Sequence, residues 1–223
     1  MYFSRITLKL NRLPYVMQKK IQYAGLYAIH QWLWQLFPNQ DKRTFLFREE
    51  QTNKVSQYYI LSEVAPITDH ELFFVETKRY FPQLSLGMKL AFSLRVNPVV
   101  FKKGKRSDVM MNVKYLAKKQ DLSELDLKNR QNEAALNWLI KQSENRGFSL
   151  FQNNEKQVRC DVIGTKQHQL HKRTGMNPIT FTSVDFEGIL TVTDPQLFLE
   201  TLYQGIGKSK GFGCGLFLIK RYQ

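Results

Sequence analysis

A tyrosine and a histidine three positions apart are the side chains in this sequence whose types and spacing best suit proton transfer. Tyr27 and His30 lie in a segment whose apolar residues recur at helical spacing, so their rings are about one turn apart on one helix face. Imidazole titrates near neutral pH and can accept or donate a proton, and a neighbouring phenol can orient it or bond a substrate oxygen. The alternative is a histidine packed and hydrogen-bonded in an aromatic core, and spacing alone leaves both interpretations open.

The helix that positions this pair is predicted to begin near Pro14 and to end at Phe37, because Pro38 drives the residue before it out of the helical region. It has two apolar faces, whereas a helix packed on one sheet needs only one. The second face should therefore contact another domain, a partner or a ligand that binds aromatic rings. The first face consists of Ile29, Trp32, Leu33 and Leu36, and the second of Tyr23, Tyr27, His30, Trp34 and Phe37.

A glycine-rich segment near the end of the sequence is suited to contact phosphate. Residues 205–215 contain five of the twelve glycines, and glycine lets backbone N–H groups approach an anion closely. The segment is not a Walker A loop, since Leu202 stands where that motif needs a glycine. A tight loop between a helix and a strand is the alternative. The candidate contact residues are Gly205, Gly207, Lys208, Lys210, Gly213 and Gly215.

Two further basic stretches are candidates for contact with a polyanion. Lys105 and Arg106 are predicted in a glycine-containing turn. The polar run 166–173 is predicted as a loop or hairpin between two strands, and such a segment can follow a duplex backbone by displacing its counterions. Its candidate contact residues are Lys166, Lys172 and Arg173.

The sequence offers no convincing metal or cofactor site. His168 and His171 have the spacing of metal ligands, but no nearby pair of Cys, Asp or Glu completes a set, so we interpret them as solvated loop histidines. Two-metal nucleases need several clustered carboxylates, which are scarce here, and neither a Ser-His-Asp arrangement nor an HExxH helix is present. Cys160 and Cys214 cannot form a disulfide framework. We expect no metal and no cofactor.

Composition favours nucleic acid as the partner. Lys and Arg total 33 against 19 Asp and Glu, which gives a formal net charge of +14. Such an excess indicates a polyanion, and the sequence shows neither a run long enough to span a membrane nor a basic amphipathic helix typical of membrane-surface binding. Hydrophobic residues make up 43% of the chain, enough for a full core. We therefore expect a folded cytoplasmic protein without a membrane partner.

The order of predicted elements indicates an α+β protein with two tandem ferredoxin-like (RRM-like, βαββαβ) domains, over residues 1–85 and 86–223. The first half reads strand 3–10, the long helix, two short strands around 45–48 and 58–61, an ambiguous helix or strand over 66–75, and a strand near 77–81. The second half reads strand 88–96, a basic stretch, and a helix that begins at Asn132 or Glu133 and stops at Gly147. Strands over 158–165 and 179–193, a helix capped by Asp194 and a last strand at 216–220 follow.

Three motifs, which follow one another along nearly the whole chain, resemble a known family. Tyr27-x-x-His30 continues to Pro38 and then to Phe45–Arg48; Leu94–Pro98 precedes Lys105-Arg106; and Phe186–Thr191 leads to Gln204–Gly207 and Gly213–Leu216. In this combination the chain resembles the CasE (Cse-type) family, the CRISPR RNA-processing endoribonucleases of type I-E systems.

The resemblance implies two ferredoxin-like domains and metal-independent cleavage of precursor CRISPR RNA at the 3′ base of each repeat hairpin. His30 would be the general acid or base and Tyr27 its positioning partner. The nucleophile would be the substrate's own 2′-hydroxyl, leaving a 2′,3′-cyclic phosphate and a 5′-hydroxyl. The enzyme would stay on its product as a subunit of the Cascade surveillance complex.

The sequence leaves two points open. A cation should stabilise the transition-state phosphate, and Lys42, Arg43, Lys208 and Lys210 are equal candidates, while the run 166–173 is our candidate for gripping the RNA stem. The rival functions are a non-catalytic subunit that binds an RNA hairpin, with Tyr27 and His30 used for packing or base stacking, and a less selective ribonuclease acting on other hairpins.

Overall fold

The computed structural model describes residues 1–9, 27–52, 55–102, 104–118, 120, 122–170 and 178–222. Four sequence predictions fall outside these ranges: the first part of the long helix, and the roles of His171, Lys172 and Arg173. Among the helices of the described ranges, none has both the length and the apolar character needed to span a bilayer.

The first unit is a four-stranded antiparallel sheet covered by one helix. Its strand order is β2-β3-β1-β4, which is the ferredoxin-like order. Helix α1, helical over residues 27–34, packs Ile29, Leu33 and Leu36 on the sheet face that carries Ile6 and Ile60. The strands are β1 Tyr2–Leu8, β2 Phe45–Thr52, β3 Val55–Ser62 and β4 Phe73–Arg79.

The ambiguous segment before β4 is not helical. Residues 63–72 form an irregular connection, and the strand begins at Phe73 rather than near residue 77. Local hydrogen bonds replace those of a helix: the Ile67 amide donates to the Leu36 carbonyl over 3.0 Å, and the Leu72 amide donates to His70 Nδ1 over 3.1 Å. The first unit therefore lacks the second helix of the βαββαβ pattern within its described residues.

The second unit contains the complete pattern with insertions. Strands β11, β5 and β10 are neighbours in its antiparallel sheet, and β8 and β9 both pair with the far edge of β10. A hairpin and a helix are inserted between β5 and α3. The elements are β5 Lys89–Val96, β6 Val99–Lys102, β7 Lys105–Asp108, α2 Val109–Lys118, α3 Glu124–Ser143, β8 Phe148–Leu150, β9 Cys160–Leu170, β10 Ile179–Val192, α4 Pro195–Gln204 and β11 Phe217–Arg221.

Two predictions for the second unit were wrong at their boundaries. Helix α3 begins at Glu124 instead of residue 132 or 133, because the Ser123 hydroxyl caps it by accepting from the Asp126 amide over 3.1 Å. Residues 166–170 are not a loop, since they continue β9 in register with β10, where His168 lies opposite Phe181. Lys166 and His168 are therefore strand residues.

The two units meet along a seam, by which we mean the apolar contact formed by Leu46 and Leu61 of the first sheet with Leu216 of the second unit. A buried guanidinium crosses it: Arg48 lies against the Glu50 carboxylate and donates from Nη2 to Ser93 Oγ over 3.0 Å. The last strand of the first sheet ends at Arg79, and the first strand of the second sheet begins at Lys89. The domain boundary at residue 85 stays a prediction.

Candidate active site

His30 lies where the two units meet. Its ring is half-buried among aromatic rings, edge-on to Trp34 at a centroid distance of 5.6 Å and stacked at 6.2 Å on Phe47 of β2. The ring of Phe212, from the glycine-rich segment of the second unit, approaches to 6.4 Å. The second apolar face of α1 thus contacts another unit of the chain, one of the alternatives that the sequence left open. Phe37 instead belongs to the core, stacked on Phe45 at 4.8 Å.

The environment of His30 favours its neutral form. Burial lowers the pKa of the imidazole below its ordinary value, and the positive charge of Arg43 lowers it further. Nε2 is buried and has no hydrogen-bond partner in the described part of the chain. A buried unpartnered nitrogen costs about 1–3 kcal/mol. Because Nε2 faces inward, a substrate must meet Nδ1, or the ring must turn about its last side-chain torsion.

Tyr27 lies one turn before His30 in α1 and is half-buried. Its position on the helix fits the pairing predicted from the sequence, and its role as the positioning partner of His30 stays a prediction.

Arg43 is the cation that the structure places next to His30. Its positive charge lowers the pKa of His30. Its Nη1 also lies where a side chain at position 211 would be, 2.7 Å from the ideal Cβ position of Gly211. Any larger residue at 211 would therefore displace the guanidinium. Of the other candidates, Lys210 donates from Nζ to the Gln204 carbonyl over 2.7 Å, and the Lys208 ammonium lies 5.8 Å from the ring centroid of Phe101. The sequence could not choose among the four cations.

The glycine-rich segment has packing reasons for two of its glycines. A Cβ added at Gly205 would lie 2.6 Å from the Gly215 carbonyl oxygen. A Cβ added at Gly215 would lie 2.7 Å from the Ile206 carbonyl oxygen. The segment therefore folds back on itself, with the Ile206 amide donating to the Gly215 carbonyl over 3.2 Å. Both glycines have a positive φ. Contact of Gly205, Gly207, Gly213 and Gly215 with RNA stays a prediction.

The motif around Arg95 and Asn97 holds the glycine-rich segment in place. The Asn97 side chain, 4% exposed, donates from Nδ2 to Ser209 Oγ over 2.8 Å, and the Arg95 carbonyl accepts from the Gly215 amide over 2.7 Å. The Arg95 guanidinium binds both oxygens of Asp185 at 2.7 and 3.0 Å and donates to the Glu49 carbonyl over 3.1 Å. One short motif thus joins β5, β10, β2 and the glycine-rich segment.

A basic surface extends from the histidine towards the inserted hairpin. Burial lowers the pKa of the Lys210 amine, and the charges of Arg146, Arg43 and Lys208 lower it further, so these four cations lie close together. The Phe101 ring has the Lys208 ammonium 5.8 Å and the Arg106 guanidinium 5.9 Å from its centroid. Lys105 is an exposed neighbour of Arg106 in β7. We call the set of Arg43, Arg106, Arg146, Lys208 and Lys210 the basic surface.

Sequence reasoning missed three residues and misjudged another. Arg146 and Phe212 were not candidates, and Phe181 was not recognised as a partner of a histidine. His168, interpreted as a solvated loop residue, stacks on Phe181 with centroids 4.5 Å apart, and its Nε2 pairs with Ser183 Oγ over 2.8 Å. Residues 166–169 are all polar, so no alternation in the sequence marks this end of the strand, which is defined by its pairing with β10. In the described residues no three His, Cys, Asp or Glu side chains are placed to share a metal ion.

Comparison with known proteins decides the family. The family model described as "CRISPR associated protein" matches residues 1–221. This chain belongs to that family. The resemblance inferred from the three motifs is confirmed.

Two curated relatives and one solved structure from this CRISPR family are similar to the chain. It is 29% identical over 195 residues to the CRISPR system Cascade subunit CasE of Escherichia coli strain K12, covering 86% of this chain and 89% of the relative. It is 28% identical over 147 residues to the CRISPR-associated endoribonuclease Cse3 of Thermus thermophilus, covering 64% and 60%. A structure of CRISPR endoribonuclease Cse3 bound to a 19-nucleotide RNA matches with a TM-score of 0.75 and 22% identity, over 99% of this chain and 100% of that one. The tandem ferredoxin-like α+β fold is thereby confirmed.

Proposed function

We propose that this protein is an endoribonuclease that cleaves precursor CRISPR RNA at the 3′ base of the repeat hairpin. The observation that carries the proposal is a half-buried neutral imidazole beside a guanidinium, at the edge of a basic surface. The similarity to CasE and to the endoribonuclease Cse3 supports this reaction class and substrate. Because its substrate is an RNA transcript, we place the protein in the cytoplasm.

In the proposed reaction, neutral His30 takes the proton of the 2′-hydroxyl next to the scissile phosphate. The resulting oxygen attacks phosphorus, and the bond from phosphorus to the 5′-oxygen breaks. The departing oxygen takes up a proton from water or from the protonated imidazole, so the products carry a 2′,3′-cyclic phosphate and a 5′-hydroxyl. A positioned general base contributes roughly 10²–10⁴-fold to such a step, and alignment of nucleophile and phosphorus contributes further. Neither a metal nor a protein nucleophile is needed for this bond exchange.

Arg43 is the residue that we propose to stabilise the charge that develops on the phosphate oxygens. A guanidinium can hold two oxygens of one phosphate through parallel N–H donors. Its position against Gly211 fixes it on the same side of the seam as His30. Tyr27, one turn from His30, orients the imidazole or bonds a substrate oxygen.

The basic surface and Lys105 would bind the RNA stem. A-form RNA has a deep, narrow major groove that side chains read poorly, so phosphate contacts and shape dominate recognition of a duplex. We propose that Gly205, Gly207, Gly213 and Gly215 bring the backbone close to the strand at the cut, and that Lys166, Lys172 and Arg173 add contacts beyond it. After cleavage the protein would remain on the mature RNA with the other subunits of Cascade.

The test is cleavage of the host's repeat RNA in EDTA by three proteins: the wild type, His30→Ala and His70→Ala. We expect His30→Ala to lose cleavage by about 10²–10⁴-fold while binding of the hairpin is kept. His70→Ala is the matched control and should cleave normally, because the His70 ring packs on Phe73 of the first unit's core. Cleavage by His30→Ala at the wild-type rate would end the assignment of His30 as the catalytic residue. Hairpin binding by the wild type without any cleavage would favour the non-catalytic subunit.

The mechanism is tested separately by analysis of the RNA ends and by modified substrates. A 2′-deoxy substitution immediately upstream of the cut removes the nucleophile, so that RNA should remain intact. Scrambled hairpins compared with the matching repeat test selectivity, and equal cleavage of both would indicate the less selective ribonuclease.

A further inference from the structure

A cleft of about 370 Å³ opens on the seam, next to the proposed active site but lined by different residues. The first sheet contributes Glu49 and Glu50, and the second contributes Lys166, His168 and Asp185. The glycine-rich segment closes it with Phe212. Its volume lies within the range of about 300–1,000 Å³ that is usual for small-ligand sites.

The cleft is much less basic than the molecule as a whole. Its lining holds three carboxylates, Glu49, Glu50 and Asp185, against two cations, Arg95 and Lys166, in a protein with a net charge of +14. Arg95 is engaged by both oxygens of Asp185. Glu50 lies against the buried Arg48 guanidinium, and Glu49 is held by Ser56 Oγ, which donates to its Oε1 over 2.8 Å. Glu49 is thus the carboxylate whose charge no ion pair within the described part of the chain offsets. It would repel a phosphate group, whereas an N–H donor on a neutral ring would pair with its other oxygen.

Two aromatic rings, His168 and Phe212, line the cleft, and the buried Phe181 ring stacks on both from behind. His168 stacks on Phe181 at 4.5 Å with an interplanar angle of 13°, and Phe181 stacks on Phe212 at 5.8 Å with an angle of 24°. Burial, with the charges of Lys166 and Arg95, lowers the pKa of His168 to about 4, so this ring is uncharged at neutral pH. A wall of uncharged rings facing carboxylates suits a planar heterocycle with an amino group.

Phe212 joins the cleft to the proposed active site. It lines the cleft, and its ring centroid is 6.4 Å from that of His30. A base held in the cleft therefore belongs to a nucleotide immediately next to the cleaved phosphodiester. On the 5′ side of a cut at the base of a hairpin the neighbour is paired in the stem, so the free base is the one on the 3′ side.

We propose that this cleft binds the base of the nucleotide immediately 3′ of the cut and selects a base that carries an exocyclic amino group. Adenine, cytosine and guanine each present such a group to the carboxylate of Glu49. Uracil has carbonyl oxygens on both sides of its only ring N–H, and these would face the carboxylates unfavourably. The inference rests on the proposed ribonuclease function and names a determinant of its specificity.

The first experiment varies only that base in an otherwise constant repeat hairpin. Hairpins with adenosine, uridine, purine riboside (adenosine without its amino group) or an abasic residue at this position are cleaved by the wild type under single-turnover conditions. Hydrogen bonds to charged groups contribute about 1.5–3 kcal/mol, so we expect adenosine to be cleaved at least about tenfold faster than uridine, purine riboside and the abasic RNA. Equal rates for adenosine and purine riboside would overturn the proposal.

The second experiment assigns the preference to the cleft. Glu49→Gln keeps the side-chain shape and removes the charge, and its adenosine-to-uridine rate ratio should fall towards one. Glu187→Gln, an exposed carboxylate of β10 outside the cleft, is the matched control and should keep the wild-type ratio. The ratio is measured within each variant, so a partly unfolded preparation does not change it. An unchanged ratio in Glu49→Gln would overturn the proposal.

The two levels of failure are distinguishable. If the wild type cleaves none of these hairpins, the proposed function fails. If it cleaves all of them at one rate, the function stands and the selective cleft does not.

Discussion

At the scale of single residues, the pH dependence of cleavage should report the state of His30. Its pKa lies below the ordinary value of 6.5 through burial and the charge of Arg43, so the base is free at neutral pH and becomes protonated as the pH falls below its pKa. Cleavage should therefore be flat near neutrality and decline on the acid side. Arg43→Gln removes one of the two causes, and the midpoint of the acid limb should move to higher pH.

The plateau rate of the same variant tests Arg43 as the transition-state cation. Loss of one donor to a developing oxyanion costs about 10²–10³-fold, and Arg43→Lys should restore part of it. Lys42→Gln, an exposed neighbour, is the control and should leave both the rate and the midpoint unchanged. A lower plateau rate without a shifted midpoint would mean that Arg43 stabilises the charge on the phosphate but does not set the pKa of His30.

His168 should make the fold sensitive to acid. Its pKa is about 4 in the native state against 6.5 when unfolded, so between these values the unfolded chain binds a proton that the native chain does not. The stability that depends on neutral His168 is present above pH 6.5 and is lost as the pH falls towards 4. His168→Gln removes the titration, and its melting temperature should fall less between pH 7 and pH 5 than that of the wild type. Parallel curves would show that another group controls acid unfolding.

At the scale of elements, the hydrogen bond between Asn97 and Ser209 should set the order of the glycine-rich segment. Removing one partner of a buried bond leaves the other unsatisfied, so we expect Asn97→Ala to lower the free energy of unfolding by about 1–3 kcal/mol. In Asn97→Ala, the backbone amides of residues 205–215 should exchange their hydrogens with solvent faster than those of α3. Ser209→Ala and the double variant complete a cycle, and simple additivity in that cycle would contradict a direct coupling.

The starts of helices that depend on nearby capping residues could be predicted from the sequence, and contacts between distant elements could not. Helix α4 begins at Pro195 as predicted, with Asp194 Oδ1 accepting from the Leu197 amide over 3.0 Å. The start of α3 also had a local signal in Ser123 and Asp126, a capping pattern that we overlooked. By contrast, the strand identity of His168 depends on Phe181 across the sheet. Nothing near Arg43 in the sequence indicates that Gly211 makes room for it.

At the scale of the whole molecule, the two units form one site only because each lends parts to the other. The first unit supplies His30 and Arg43, and the second supplies Phe212 and the space at Gly211. The seam is held by apolar contacts and by Arg95, which binds Asp185 in its own sheet and the Glu49 carbonyl across the seam. The junction between the two ferredoxin-like units carries cations next to the histidine and carboxylates in the cleft.

The salt dependence of RNA binding should show whether the RNA stem contacts the inserted hairpin. The Phe101 ring brings Arg106 next to Lys208, so a stem on the basic surface should contact both the hairpin and the glycine-rich segment. Each phosphate contact contributes nearly one to the slope of log affinity against log salt, so replacing Lys105 and Arg106 by Gln should reduce that slope by about one to two.

The matched control for this slope replaces two cations outside the basic surface, Lys128 and Lys141 of α3, and should leave it unchanged. Binding of the hairpin is measured from low to moderate salt with His30→Ala as the background, so that cleavage does not deplete the RNA. Because electrostatic attraction at long range is screened within about 10 Å at 0.1 M salt, only cations near the phosphates alter the slope. An equal loss of slope in both pairs would mean that the total charge attracts RNA without a defined stem site, and no loss in the hairpin pair would place the stem on another face.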